Sequence, residues 1–545
     1  MRQTEAAPQG DAPQGEAPLE APQGAAQSSF LKSGTSLSLL TLASRVLGLL
    51  REMTKASLLG TSALSDAFTV AYQIPNLFRR LFAEGSISVA FIPTFKEYLL
   101  EPGKGEAIRE FLSSMLSFLT AILSLAVGLG ILAAPLIAPL FQVEALDETI
   151  LLTRIMFPYL GLVSLGALFQ GILNSVRVFT PSGLAPILLN LSFIVCAYAL
   201  APLTANPARA MALGILAGGF LEAAVQFPFV LRRGFRFGFV GLKRALSNPG
   251  TRKVLRLIGP TIIGMAAYQL NNVVSTSLAG AAGPGVATSL SYSLHLQELI
   301  LGVFAVSLGT VLLPDLTDDA KTGAWDRYNE RLISAMDLIA LITVPISFIA
   351  LAQGDNLIRL LFESNSFDDA SAALTRSAFN FHMPGLLFIA LNRILAPAFY
   401  AQSDSRSPAL AGIVSFGINI ILALILAGPL RGGGIALALS AASAVNTALL
   451  LAFLGKNKRI AVGRALRSAL GYTAKLAVFS AVAVAPVLWI GPRLTGRLAG
   501  RGRLISYGLP FAASALLFAA IGIGLLVISR DKQARNIAAQ FRRKR

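Results

Sequence analysis

The arginines in this sequence that most need explaining stand inside apolar stretches long enough to cross a bilayer. The run SLSLLTLASRVLGLLREMTKASLLG carries Arg45 and Arg51, and SDAFTVAYQIPNLFRRLFAEGSISVAFIP carries Asp66, Arg79, Arg80 and Glu84. An ionised side chain at the centre of a bilayer costs about 2.5–3.5 kcal/mol on insertion scales, so such groups normally face a water-filled cavity or a partner. A guanidinium is a planar fork of donors that matches phosphate oxygens bidentately. Four of them on two neighbouring segments would attract an anionic headgroup. A plainer arrangement is also open: Arg45 and Arg51 snorkel to an interface, and Glu84, four residues on, neutralises Arg80.

The spacing refines this. Arg45 and Arg51 are six residues apart, so on a helix they point about 120° from each other and would line adjacent walls rather than one stripe. Pro75 and Gly85 bracket the charged part of the second stretch and favour a kink or break there. His295 and Glu298, three apart in YSLHLQELILGVFAVSLGTVLLP, can share a helix face. Arg393 follows Asn392 in FIALNRILAPAFYAQSDSRSP and reads equally as a cavity residue or an interfacial anchor. Asn271 and Asn272 read as hydrogen-bonding glue between helices. Asp368 and Asp369, in FESNSFDDA, are candidate catalytic carboxylates, or simply the start of a helix.

The elements that must position these groups follow from composition. Of 545 residues, 54% are hydrophobic and 14% charged, against about 25% charged in soluble domains. The apolar residues come in blocks of about 20 or more, the length of a membrane-crossing helix. Barrel strands are shorter and alternate apolar with polar, so the fold class is an all-α polytopic membrane protein with about fourteen transmembrane helices. The excess of 46 Lys and Arg over 28 Asp and Glu would suggest nucleic acid in a soluble protein. Here it reads as cytoplasmic loops under the positive-inside rule, and no nucleic acid is expected. Arg232, Arg233, Arg236, Lys243, Arg244, Arg252, Lys253 and Arg256 form one basic loop, Lys456 to Arg467 a second, and FRRKR the C-terminal end. The connections near 142–147 and 282–285 contain no Lys or Arg, which places both termini in the cytoplasm. Arg493, Arg497, Arg501 and Arg503 disagree: they fall on the expected outside, so either the rule is locally broken or the last two spans are misplaced. The first 29 residues repeat APQG three times between acids, a composition that cannot bury enough surface to order itself and lacks the pattern of a secretory signal.

Catalytic patterns are missing. The sequence has no HExxH, CxxC, GxSxG or Walker A loop, one cysteine (Cys196) and two histidines. An ATPase subunit, metal or redox chemistry, a cofactor and an enzyme are not expected.

The runs SRVLGLLRE and SDAFTVAYQIPNLFRRLFAEGSISVAFIP, followed by RIMFPYLGLVSLGALFQGILNS, PILLNLS, LGTVLLPDL and AFYAQSDSRSP, resemble the signature of the MurJ (MviN) family over roughly residues 33–455. That family belongs to the multidrug/oligosaccharidyl-lipid/polysaccharide exporter superfamily. The resemblance implies a flippase that moves lipid II, the undecaprenyl-pyrophosphate-linked peptidoglycan precursor, across the bacterial inner membrane by alternating access. It implies two pseudo-symmetric six-helix lobes, 33–231 and 253–455, around a central cationic cavity. A tail (1–32), a basic cytoplasmic loop (232–252), two extra helices forming a lipid-tail groove (456–529) and a basic cytoplasmic tail (530–545) would complete the chain. By match of residues, the family's cavity arginines fall on Arg45, Arg51 and Arg79, with Arg80, Asp66 and Glu84 at further matching positions. His295 stands where many members carry arginine, so a fixed charge is replaced by one present only at lower pH. Span seven has no acidic residue, so no sodium site is expected. Lipid II and membrane lipids are the implied partners, with cell-wall synthesis machinery nearby and a monomeric state. An exporter of another polyprenyl-linked glycan, a drug exporter, a polyprenyl-glycan glycosyltransferase and a non-transporting scaffold are the alternatives.

Overall fold

The computed structural model describes residues 23–80, 90–101, 103 and 105–543, with side chains apart from 23–38, 259–268, 302–311, 537–538 and 540–543. All regular structure among the described residues is helical. The first half comprises α1 (Gln23–Leu59), α2 (Ala63–Arg79), α3 (Ile92–Leu100), α4 (Gly105–Ile137), α5 (Leu146–Met156), α6 (Tyr159–Ser175), α7 (Thr180–Ala199) and α8 (Pro207–Arg232). A short α9 (Leu242–Ser247) leads to α10 (Pro249–Ala281), α11 (Val286–Lys321), α12 (Trp325–Phe362), α13 (Asp369–His382), α14 (Leu386–Tyr400) and α15 (Arg406–Leu454). The chain closes with α16 (Val462–Leu498), α17 (Leu509–Ile528) and α18 (Lys532–Arg543).

These helices are built for lipid outside and packing inside. On α4 the face bearing Phe111, Leu112, Met115 and Leu119 is buried, while Leu125, Leu129, Leu132 and Leu136 are exposed at spacings of three and four. A stripe of that kind faces acyl chains rather than water. Eight helical segments among the described residues are long and apolar enough to cross a bilayer, nine if α13 and α14, bent by 48°, form one broken span. That is fewer than fourteen, and α15 explains part of the difference. It counts once, yet it folds back at Arg431 (φ 47°), so that Ser415 Oγ donates to the Ala442 carbonyl at 2.7 Å across an antiparallel pair.

Packing divides along the sequence. Two apolar clusters draw almost entirely on residues 56–258, among them Phe91, Phe95, Phe111, Leu160 and Ile172 in one and Phe68, Tyr159, Phe193 and Met211 in the other. A third is centred on Tyr328, Leu332, Leu386, Ile394 and Leu450. α16 and α17 lean on α12 through Val484, Val487 and Phe518 against Phe348, Ile349 and Ala352.

Two expectations meet corrections. α1 begins at Gln23, inside the stretch read as a solvated tail and within the third APQG repeat; it follows the last proline of that stretch, Pro22, and AAQSSFLKS beyond Gly24 contains no Pro or Gly to interrupt it. Pro75 does not break α2, which continues to Arg79 and, beginning at Ala63, loses only one interior hydrogen bond to the ring; Gly85 lies outside the described residues. The C-terminal basic tail contains helix α18. The last two expected spans are present as α16 and α17. Between them, Arg503 donates to the Glu363 carbonyl at 2.9 Å, at the end of α12 where Arg359 binds Asp355, Glu363 and Asp369.

The break between α13 and α14 falls at Pro384–Gly385, where proline removes a backbone donor. The Phe381 carbonyl freed there accepts from Ser440 Oγ at 2.7 Å, and the His382 carbonyl, which takes Gly385 N at 3.1 Å, also accepts from Gln297 Nε2 at 2.8 Å. In a membrane interior such replacement is obligatory. Ser440→Ala strands the Phe381 carbonyl and should lower stability by about 1–3 kcal/mol. Thermal unfolding in detergent checks this, and an unchanged transition would mean that another donor takes over.

Candidate functional site

A cavity of about 1370 Å3 lies between the two groups of helices, lined by residues of α1, α2, α6, α7 and α8 on one side and α10, α11, α14 and α15 on the other. Five fixed cations line it: Arg51, Lys55, Arg79, Arg80 and Arg393. They face three carboxylates, Glu52, Glu222 and Glu298, together with His295 and a set of amides that includes Asn76, Gln170, Asn190, Gln269, Asn271 and Asn272.

One turn of α1 supplies the first charges. Arg51 binds Glu52 Oε1 through Nε (3.3 Å) and Nη2 (2.8 Å). The same oxygen lies 3.7 Å from His295 Nε2 on α11. His295 Nδ1 is directed at the Ser291 carbonyl, at 2.8 Å, which makes Nδ1 the protonated nitrogen in the neutral ring. The contact with Glu52 becomes ionic only when Nε2 is protonated as well. Lys55, a helical turn beyond Arg51 on the same face, donates to Thr69 Oγ1 at 2.6 Å. Its ammonium sits 4.9 Å from the centre of the Tyr292 ring and 5.9 Å from that of Phe68, and the residue is only 5% exposed. Cation–π contact of this kind is stronger when desolvated.

α2 carries the cations away from this point. From Thr69 to Arg79 the helix rises about 15 Å. Arg79 Nε donates to Asn76 Oδ1 at 2.8 Å, and Arg80 caps the helix with its side chain in the cavity wall. The 120° argument for Arg45 and Arg51 is met only by Arg51. Arg45, about 9 Å further along α1, is half-buried and outside the cavity lining among the described residues. Glu84 lies outside the described residues, so its pairing with Arg80 is not visible. Arg393 lines the cavity, which favours that alternative over an interfacial anchor. Asn271 accepts from Asn419 Nδ2 at 2.6 Å, joining α10 to α15 as glue while also facing the cavity.

Asp66 departs from its expected place among the substrate-contacting residues. It is buried outside the lining and accepts the backbone N–H groups of Gly285 and Thr288, both at 2.7 Å. A carboxylate from α2 thus caps the N-terminus of α11, which carries partial positive charge. Around this joint, Thr61 binds Ser371 (Oγ1 to Oγ, 2.8 Å) and Tyr292 OH donates to Gly60 O at 3.3 Å. Gly285 has φ +81°, and a Cβ there would stand 2.2 Å from the Thr61 carbonyl, so only glycine allows the approach. The contacts gather at one end of the cavity, opposite the basic loops. Asp368 caps α13 by accepting from Ser371 N at 2.9 Å, and that backbone N–H holds its carboxyl below the usual range. Asp369 is bound to Arg359. The pair is the start of a helix, and a carboxylate held in its ionised form by a backbone N–H is a poor general base.

Lys55 and Glu52 were legible only in part. Extending the face of Arg51 by four residues reaches Lys55, but nothing local distinguishes it from a lysine at the end of a span.

Two groups of helices enclosing a charged cavity and joined at one end form the body of a multi-span membrane transporter. The fold is shared with a solved structure described as "Lipid II flippase MurJ, inward closed conformation" (TM-score 0.73, 24% identity, 91% of this chain and 99% of that one). It is also similar to an inward-facing multidrug resistance MATE family transporter of the MOP superfamily (TM-score 0.59, 16% identity, covering 77% and 96%). The family described as "Lipid II flippase MurJ" matches residues 55–496. A relative from Treponema pallidum (strain Nichols), described as "Probable lipid II flippase MurJ", is 45% identical over 514 residues, covering 93% of this chain and 97% of its own. "Lipid II flippase MurJ" of Burkholderia cenocepacia (strain ATCC BAA-245 / DSM 16553 / LMG 16656 / NCTC 13227 / J2315 / CF5610) is 33% identical over 436 residues, covering 77% and 82%. The chain belongs to the MurJ family, a family of transporters rather than enzymes.

Asp66→Ala removes the cap that joins α2 to α11 and should cost that closed end about 1–2 kcal/mol. Cysteines placed at Thr61 and Ser371 in a Cys196→Ala background report it: cross-linking should fall when Asp66 is replaced, and undiminished cross-linking would show that the cap does not hold the joint.

Proposed function

We propose that this protein flips lipid II from the inner to the outer leaflet of the bacterial cytoplasmic membrane, supplying the precursor for cell wall synthesis. The observation that carries this reading is the set of Arg51, Lys55, Arg79, Arg80 and Arg393 lining one cavity between the two helical halves. A diphosphate ester is the headgroup chemistry that such a set fits, because guanidinium forks and an ammonium supply donors on several sides of the phosphates. The cavity amides then meet the sugar and peptide portions. A cationic drug would meet five like charges, which disfavours a drug exporter.

Translocation proceeds by alternating access. The joint of Asp66 with the α11 N-terminus, with Thr61–Ser371 and Gly60–Tyr292 beside it, is what must part for the cavity to open at that end. The lobes are 33–231 and 253–455, the α16–α17 pair (within 456–529) offers a groove for the polyprenyl tail, and both termini are cytoplasmic. His295 and Arg80 contribute to headgroup binding alongside Arg51 and Arg79, Arg45 enters when α1 shifts, and Glu84 pairs with Arg80. The protein acts as a monomer near the cell-wall synthesis machinery.

Arg51→Ala or Arg79→Ala removes a charge-assisted contact to the headgroup and should weaken it roughly ten- to a hundredfold. Reconstituted vesicles with labelled lipid II, assayed for accessibility at each leaflet, should then show translocation near background while the variants insert and fold normally. Wild-type rates in the double variant would overturn the proposal. Transport of a different polyprenyl-diphosphate glycan in preference to lipid II would overturn the choice of substrate.

A further inference from the structure

Helix α18 starts only three residues after α17, which crosses the bilayer, so it lies within about 10 Å of the membrane end of that span. Its start is fixed. Arg530 takes a left-handed backbone (φ 49°), and the following Asp531 is buried. Asp531 accepts Ala534 N at 3.0 Å, Lys475 Nζ at 2.6 Å and Tyr472 OH at 2.9 Å, which ties the α18 N-terminus to α16. Gln533 reaches Ser334 of α12. The direction in which the chain leaves the membrane is therefore set by packed contacts.

The sequence from 532 reads KQARNIAAQFRRKR. Ala534, Ile537, Ala538 and Phe541 fall at i, i+3, i+4 and i+7, a single apolar face. Lys532, Arg535, Arg542 and Arg543 fall on the other side of the helix, Lys532 and Arg535 being exposed. Residues 532–545 contain six basic residues and no acidic one. An amphipathic helix with an apolar stripe, a basic face and no acid, held at headgroup depth, has the build of an in-plane membrane helix.

We propose that α18 lies on the leaflet facing the basic loops, its apolar stripe at the boundary of headgroups and acyl chains and its arginines on the phosphates of anionic phospholipids. Charge selects this occupant: a zwitterionic surface offers the stripe a seat but no net attraction for six cations, whereas an anionic leaflet offers both. The helix thereby pins the α16–α17 pair to the surface through the Asp531 joint.

The test uses the full chain in lipid nanodiscs of phosphatidylcholine, with or without phosphatidylglycerol. An environment-sensitive fluorophore is attached to Ala538→Cys in a Cys196→Ala background. Phosphatidylglycerol should shift the emission to the blue and raise quenching by brominated lipid, and high salt should reverse both. Replacing Arg535, Arg542 and Arg543 with Gln should weaken the lipid dependence by roughly fivefold per charge removed. Hydrogen exchange across 532–543 in the unlabelled protein should show slower exchange with phosphatidylglycerol, so that a disturbing label does not decide the matter. A probe in water in both discs, or one equally shielded in both and indifferent to salt, overturns the proposal, the second result indicating a protein seat for the stripe. Equal exchange in the two discs overturns it as well.

Discussion

A charge at membrane depth must be wet or paired, and the architecture of this protein follows from that single requirement. Five cations of the cavity could not be held on lipid-facing surfaces. They are placed instead on α1, α2 and α14, where these helices border the space between the halves. The leucine stripe of α4 shows the complementary case, an outward face with nothing to solvate. The same rule governs the backbone. Where the α13–α14 span breaks, Ser440 takes up a carbonyl that lipid could not satisfy.

Within the cavity the charges are not simply piled together. Glu52 holds Arg51 at 2.8 Å and stands 3.7 Å from His295, so one carboxylate serves two basic groups on opposite halves. Lys55 is held by Thr69 on α2 and by the ring of Tyr292 on α11. Both arrangements sit beside the closed end, where Asp66 caps α11. The groups fitted to hold an anion and the groups that hold the halves together thus occupy adjacent turns of α1, α2 and α11. An event in the cavity is positioned to act on the joint with no intervening relay.

The class of fold was legible from block length and composition, and the cationic character of the site from Arg51, Arg79 and Arg80 alone. The break at Pro384–Gly385 was legible too, because proline followed by glycine removes a donor and loosens the backbone. What sequence could not reveal was pairing across distance. Asp66 sits in a segment of apparent cavity residues, and its partners, Gly285 and Thr288, lie 219 and 222 residues further on. No local pattern separates a carboxylate that binds ligand from one that caps a helix of the other half. The turn at Arg431 had a local signal: GPLRGGG separates the apolar runs 407–429 and 432–454, and the Ser415–Ala442 contact pairs them. The start of α1 at Gln23 was missed because low-complexity sequence and helix-compatible sequence overlap in AAQSSFLKS.

The placement of His295 can be argued one step further. Under the proposed function, a ring whose Nδ1 is committed to the Ser291 carbonyl has only Nε2 to offer, and Nε2 faces Glu52. A headgroup phosphate approaching Arg51 competes with Glu52 for the same guanidinium. If it succeeds, Glu52 is released from Arg51 while still 3.7 Å from His295 on the other half. The arrival of an anion at α1 therefore bears directly on a contact that spans α1 and α11, one turn of helix from the Lys55–Tyr292 contact beside it.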